Sequence, residues 1–392
     1  MGGKEGFLNI LKNYDDQFDH KIKIIPIFPA ALKIGPIGPR PERLRSGIVT
    51  ESHAASAWGD RETEFFYELT PDRILEAAEL AGVRCTGRTL PLNSMENRVY
   101  EVEIEVDPAA VRTASDKARI LKFYRPGRWS RAQILEEHQF LLDLREADVP
   151  VVAPLPLAGG ATLGTAPAAE VFFAAFPKVG GRHPDEMDEE RLMRVGRLLG
   201  RMHNVGASRE APHRLRLDLE TYGMTNLDYL LESEAIPERI EEAYATTVEE
   251  ICDLAAPWFD AAAVQRIHGD CHLGNLIWNE ADGPFWVDFD DMVQGPPVQD
   301  IWLVVPGRDD ESLLRREALL RGYEEMREFD RRTLRLIEPL RALRFVHFSA
   351  WIAKRWTDPA FPRRFEHFGT ERYWQEQLGD LREQLALIRE AR

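Results

Sequence analysis

The sequence predicts an α+β chain of two parts, an antiparallel sheet first and a mainly helical segment after it. Three observations carry this. Runs rich in β-branched and aromatic residues at 99–104 and 119–124 flank a polar loop, the pattern of two antiparallel strands. From Asp188 onward, apolar residues recur at three- and four-residue spacing, the period of helices packed on one face. Between these regions Pro177-Lys178-Val179-Gly180-Gly181 reads as a linker. The expected boundaries are 1–65 for a poorly ordered N-terminal extension, 66–176 for a sheet-bearing lobe and 177–392 for a helical lobe.

In chain order, Thr70-Pro71 opens a helix: a capping hydroxyl, proline in the first turn, then Ile74, Leu75, Ala78 and Leu80 before Gly82. Residues 90–97 read as a turn ahead of the 99–104 strand. The returning strand, 119–124, carries Lys122. From about Arg131 a helix puts Glu137 on one face with Ile134, Phe140, Leu141 and Leu144. A carboxylate on a buried stripe needs a partner, and Lys122 would supply it; Glu136, rotated towards the edge of the stripe, is the competing candidate. Residues 171–176 read as a buried strand. The helix from Asp188 turns Leu192, Val195, Leu198, Leu199 and Met202 inward and ends near Gly206, and a later helix covers 339–356.

The densest chemical signal is His268-Gly269-Asp270-Cys271-His272-Leu273-Gly274-Asn275, followed by Val287-Asp288-Phe289-Asp290. An aspartate stands five residues before an asparagine, and a second aspartate closes an apolar run. Protein kinases use H-R-D-x-x-x-x-N in this way: the Asp takes the substrate hydroxyl's proton, the Asn holds Mg²⁺, and a later D-F-G aspartate holds more metal. Leu276-Ile277-Trp278 and Phe285-Trp286-Val287, with Asp282-Gly283 in the turn between them, form a hairpin signature. Its open ends would bring Asn275 beside Asp288, and two oxygen ligands next to Asp270 suit Mg²⁺. Asp270 and Asp288 are therefore the catalytic candidates, with Asn275 and Asp288 as metal ligands. Lys122, oriented by Glu137, is the candidate for the phosphates of ATP. A hinge would follow the 171–176 strand, with adenine held by main-chain groups around Phe176 to Val179; a plain strand end reads equally well there. Singly, such polar residues more often cap turns; this spacing together with the hairpin favours chemistry. A zinc site on His268, Asp270 and His272 would need a strand, and Gly269 and Gly274 argue for a loop.

Composition fits an enzyme. The 392 residues, 44% of them hydrophobic, can supply a sizeable core. A formal charge of −16 argues against a nucleic-acid backbone as main partner. Cys85, Cys252 and Cys271 make no disulfide framework and fit a reducing compartment. The acidic start, with Glu5, Asp15, Asp16 and Asp19, is unlike a signal peptide. Ile24-Ile25-Pro26-Ile27-Phe28-Pro29 is too short to span a membrane. Gly35-Pro36-Ile37-Gly38-Pro39 fails as a phosphate loop because proline lacks the N–H that would bind phosphate.

Further motifs are Pro91-Leu92-Asn93-Ser94-Met95-Glu96-Asn97-Arg98-Val99-Tyr100, Lys122-Phe123-Tyr124-Arg125-Pro126 and Ile134-Leu135-Glu136-Glu137-His138-Gln139-Phe140. Phe176-Pro177-Lys178-Val179-Gly180-Gly181-Arg182, Gly295-Pro296-Pro297-Val298-Gln299-Asp300 and Trp356-Thr357-Asp358-Pro359-Ala360-Phe361-Pro362 complete the set. With these, from about Thr70 nearly to the C-terminus, the chain resembles the bacterial stress response kinase A family. That family lies in the aminoglycoside phosphotransferase and choline kinase-like branch of the bilobal protein-kinase fold.

The resemblance implies an ATP- and Mg²⁺-dependent serine/threonine protein kinase, cytoplasmic and monomeric, acting in stress response and cell survival. Such an enzyme transfers the γ-phosphate to protein hydroxyls and autophosphorylates. Asp270 matches the family's proton acceptor, Asn275 and Asp288 its metal ligands, and Ser94 an ATP contact in a nucleotide loop that is not glycine-rich. Asp290 takes the place of the D-F-G glycine, and Asp300 has a bracing role behind the catalytic loop. The runner-up is a kinase of aminoglycosides, choline or another small alcohol. A nucleotide-binding pseudokinase or interaction protein is the alternative of another class, and the joint presence of Lys122, Asp270, Asn275 and Asp288 speaks against it.

Overall fold

The computed structural model describes residues 69–391 apart from 93, 168–170 and 185, so the extension expected at 1–65 lies outside the described residues. Helix α1 (Pro71–Leu80) starts where the sequence places it: the Thr70 hydroxyl accepts from the N–H of Arg73, and Pro71 fills the first turn. Five strands follow, β1 (Cys85–Leu92), β2 (Arg98–Ile104), β3 (Ala118–Phe123), β4 (Gly164–Thr165) and β5 (Phe172–Pro177). They form one antiparallel sheet in the order β1-β2-β3-β5-β4. Alternation along β3 sends Leu121 and Phe123 to the face that packs on Ile74, Ala77 and Ala78 of α1. Lys122 points to the opposite face. Helix α2 (Arg131–Glu146) lies there, opened by a reciprocal cap in which the Ser130 and Gln133 side chains bond each other's backbone N–H.

Leu90, Pro91 and Leu92 belong to strand β1, not to a turn, and pair with Glu101, Tyr100 and Val99. The strand is an exposed sheet edge, so its burial shows no alternation, and a proline is tolerated where one side of the backbone bonds nothing.

The remainder is mainly helical: α3 (Glu189–Gly206), α4 (Thr225–Glu232), α5 (Glu238–Asp260), α6 (Val298–Val304), α7 (Asp310–Glu324), α8 (Ile337–Lys354), α9 (Ala360–Arg364) and α10 (Glu371–Glu390). Helix α3 keeps its predicted inward stripe of Leu192, Val195, Leu198, Leu199 and Met202. It lies so close to α7 that a Cβ on Gly196 would stand 2.0 Å from the Leu319 carbonyl oxygen, and one on Gly322 2.1 Å from that of Met193. Four short strands complete the chain. β6 (Gln265–Ile267) pairs with β9 (Val293–Gly295), and β7 (Leu276–Asn279) with β8 (Gly283–Trp286). The second pair is the predicted hairpin, with residues 280–282 as its loop and Gly283 at φ 88° opening the return strand. Among the described residues no helix is long and apolar enough to cross a membrane.

Candidate active site

Both ends of the β7–β8 hairpin emerge at one place. The Val287 N–H donates to the Asn275 carbonyl 3.0 Å away, so the segments carrying Asn275 and Asp288 are adjacent. Asp288 adopts a left-handed backbone, φ 58° and ψ 68°, which aspartate tolerates better than most side chains. Its carboxylate, 56% exposed, stands 3.5 Å from Lys122 Nζ. The Asn275 side-chain NH₂ donates to the Asp270 carbonyl (3.0 Å) and to Asp270 Oδ2 (3.3 Å), which leaves the amide oxygen free of that contact. A carboxylate and an amide oxygen are hard donors of the kind Mg²⁺ takes, so this pair fits that ion.

Lys122 is buried and its ammonium is ringed by carboxylates: Asp290 at 2.9 Å, Glu137 at 3.3 Å and Asp288 at 3.5 Å. Burial alone would lower its pKa; Asp290 and Glu137 outweigh burial and hold it well above the ordinary lysine range. The choice between the two glutamates is settled by the geometry. Glu137 is buried against Lys122 and takes a second bond from Arg214 Nη2 at 3.0 Å. Glu136 instead accepts from the backbone N–H groups of His213 and Arg214.

Sequence reasoning missed that the closest carboxylate to Lys122 is Asp290. Asp290 is buried, and Arg128 bonds both it and Asp291 through its two terminal nitrogens. Burial would raise the Asp290 carboxyl, but Arg128 and Lys122 hold it below the usual carboxylate range. Its place after Asp288 and Phe289 was visible, but Arg128 precedes α2 with no periodicity to mark it.

Asp270 lies between a histidine and an arginine. Oδ2 is 3.3 Å from His272 Nε2, and Oδ1 is 3.0 Å from an Arg344 nitrogen on α8. Burial favours its neutral form, yet His272 and Arg344 hold the carboxyl well below the usual range, so it is ionised. The zinc arrangement fails on geometry. The His268 ring has both nitrogens engaged, Nε2 2.9 Å from the Val287 carbonyl and Nδ1 accepting from the Asp270 N–H at 3.3 Å.

Gly269 explains how the loop turns: its φ is +85°, and a Cβ there would stand 2.3 Å from the Asp291 carbonyl oxygen. Behind the loop, buried Asp300 takes the N–H groups of His268 and Gly269, each at 2.9 Å, and His203 Nε2 at 3.0 Å. This is the expected brace. Asp300→Ala would strand those buried donors and is expected to lower stability by about 3 kcal/mol or more. A urea unfolding midpoint equal to that of the unsubstituted protein would contradict the brace.

Ser94 sits in the loop joining β1 to β2, where its hydroxyl accepts from the Asn97 N–H at 3.3 Å. Glu96 of the same loop, also missed, receives Trp351 Nε1 (2.7 Å) and Arg355 Nη2 (2.9 Å). Those partners lie at and just beyond the C-terminal end of α8, more than 250 positions away in the sequence, which no local pattern could reveal.

A family model described as the phosphotransferase enzyme family matches residues 89–337. Stress response kinase A of Escherichia coli (strain K12) is 40% identical over 327 residues, 83% of this chain and 95% of that protein. The chain belongs to the stress response kinase A family of phosphotransferase enzymes. A Salmonella typhimurium relative named serine/threonine protein kinase RdoA is 38% identical over 327 residues, with the same shares covered. Two solved structures share the fold of this stress response kinase A family member. The amicoumacin kinase hAmiN in complex with AMP-PNP, Ca²⁺ and Ami has a TM-score of 0.60 at 20% identity, covering 76% of this chain and 92% of that one. A microcompartment-associated aminopropanol kinase also has a TM-score of 0.60, at 19% identity, covering 82% and 97%. The predicted α+β, protein-kinase-like architecture is borne out, and the stress response kinase A family member is a phosphotransferase.

Proposed function

We propose that this kinase is an ATP- and Mg²⁺-dependent serine/threonine protein kinase that also autophosphorylates, works in the cytoplasm as a monomer, and serves stress response and cell survival. The observation that carries the reading is the convergence of Lys122, clamped by Glu137, with Asp288, Asn275 and Asp270 at one place. Lys122 holds phosphate oxygens of the nucleotide, and Ser94 contacts it from the β1–β2 loop. Asn275 and Asp288 are the residues that would hold Mg²⁺, which when bound neutralises phosphate charge. Asp270 orients the acceptor hydroxyl. As the acceptor oxygen bonds the γ-phosphorus, the bond to the β-phosphate oxygen breaks, ADP leaves, and the hydroxyl proton passes to Asp270. Residues 66–176 and 177–392 act as two lobes, with main-chain groups around Phe176 to Val179 holding adenine at the hinge between them.

What supports a protein acceptor is the name of the Salmonella relative and the 38% identity shared with it. The same machinery would serve a small alcohol, as the aminopropanol kinase of like fold illustrates.

Asp288→Ala tests the metal assignment. Its side chain is largely in solvent, so the fold is expected to persist while Mg²⁺-dependent transfer disappears. Turnover titrated against Mg²⁺, with circular dichroism on the same sample, is the measurement. A folded variant with near-normal turnover would overturn the role.

A further inference from the structure

Helix α8 carries a side-chain stripe that runs between the two halves of the site. Arg344, Phe348 and Trp351 are spaced by four and three residues and so share one face. Arg344 ends 3.0 Å from Asp270 Oδ1, and Trp351 ends on Glu96 of the nucleotide loop at 2.7 Å. Phe348, between them, is 42% exposed and stacks on Trp351 with ring centroids 5.5 Å apart. The stripe therefore spans from the proposed base to the β1–β2 loop.

The state of Asp270 makes this more specific. Oδ2 is held by Asn275 and His272, whereas Oδ1 is covered and meets no well-aligned hydrogen-bond donor among the described residues. Oδ1 is the oxygen left for an acceptor hydroxyl, and Arg344 stands over it. Arg344 is itself 42% exposed, so its guanidinium has room to turn out to solvent and exchange partners. For the hydroxyl to reach Oδ1, Arg344 must move, and a carboxylate on the acceptor offers its guanidinium a replacement partner with the same two-oxygen geometry.

We infer that Arg344 and Phe348 form the acceptor subsite and select a hydroxyl flanked by a carboxylate, with an apolar group beyond it. Arg344 takes the carboxylate and so uncovers Asp270; Phe348 takes the apolar group. Residues four apart on a helix are separated by about 6 Å along its axis. Side chains two apart on one side of an extended segment are separated by about 7 Å. On the protein-kinase reading, on which this form of the inference rests, the acceptor is a serine or threonine beside an acidic residue, with an apolar residue two positions past the acid.

The test uses the full chain with three serine peptides, alike except that the flanking position is Glu, Gln or Lys, and reads kcat/KM for each. The unsubstituted kinase is expected to prefer the Glu peptide over the Gln peptide on the order of tenfold. Arg344→Gln is expected to bring that ratio to about one, and Arg344→Glu to shift preference to the Lys peptide. Phe348→Ala is expected to reduce discrimination between Leu and Ser at the apolar position. Thermal unfolding of each variant separates lost selectivity from lost fold. An unsubstituted enzyme indifferent to Glu against Gln overturns the inference. So does an Arg344→Gln variant slowed equally on all peptides, which would place Arg344 at the transferred phosphoryl group instead. If the enzyme phosphorylates no peptide or protein, the protein-acceptor reading fails separately. The selection for a carboxylate is then read on glycerate against glycerol, where equal use overturns it.

Discussion

Asp270→Asn is expected to slow γ-phosphate transfer by about 10²–10⁴-fold, the usual worth of a general base, while Mg·ATP affinity changes far less. The amide has nearly the carboxylate's size, and the loop is held by bonds that do not depend on the charge. Asp300 grips the backbone of His268 and Gly269, and the Asp270 carbonyl still accepts from Asn275. What disappears is the acceptor for the hydroxyl proton and the partner of Arg344 and His272. Because phosphoryl transfer is loosely dissociative, part of the loss would reflect orientation of the hydroxyl rather than proton removal. Single-turnover transfer and calorimetric nucleotide binding on one folded preparation check this. Wild-type-like transfer would remove Asp270 from the mechanism, and an equal collapse of binding would make the loop's role structural.

Lys122→Ala is expected to abolish transfer and also to destabilise the fold, by about 1.5–3 kcal/mol, the worth of a hydrogen bond to a charged group, because two buried carboxylates each lose one of their cations and keep another. The reason is the company Lys122 keeps. Glu137 and Asp290 are both buried, and removal of the ammonium leaves Arg214 and Arg128 as the cations facing them. A variant that also neutralises the nearest carboxylate, Lys122→Met with Asp290→Asn, should recover part of the stability and none of the transfer. Urea unfolding with ATP titration separates the two effects: full stability in Lys122→Ala would contradict the buried network, and retained ATP affinity would contradict its nucleotide role.

The sequence exposed the site wherever chemistry and local geometry coincide. Asp270, Asn275 and Asp288 lie within twenty positions and are joined by a hairpin whose turn residues are explicit. Lys122 and Glu137 were legible because each sits in a regular element, and a carboxylate on a buried helical face demands a cation. Strand β1 was hidden because an exposed edge needs no alternation. Asp290 beside Lys122, Arg344 over Asp270 and the Glu96–Arg355 contact depend on how separate elements pack, and packing leaves no spacing to read. Asp300 was placed behind the loop through the family resemblance, and its three bonds show the physical reason for it.

On the proposed reading the enzyme transfers the γ-phosphate of ATP to a protein hydroxyl. The most direct measurement incubates the full chain with γ-labelled ATP and Mg²⁺, offering protein acceptors alongside an aminoglycoside and choline, followed by phosphoamino-acid analysis. The expected result is label on serine or threonine of protein, including the kinase itself, and none in the Asp270→Asn control. Label found solely in a small alcohol, with none on protein, would contradict it.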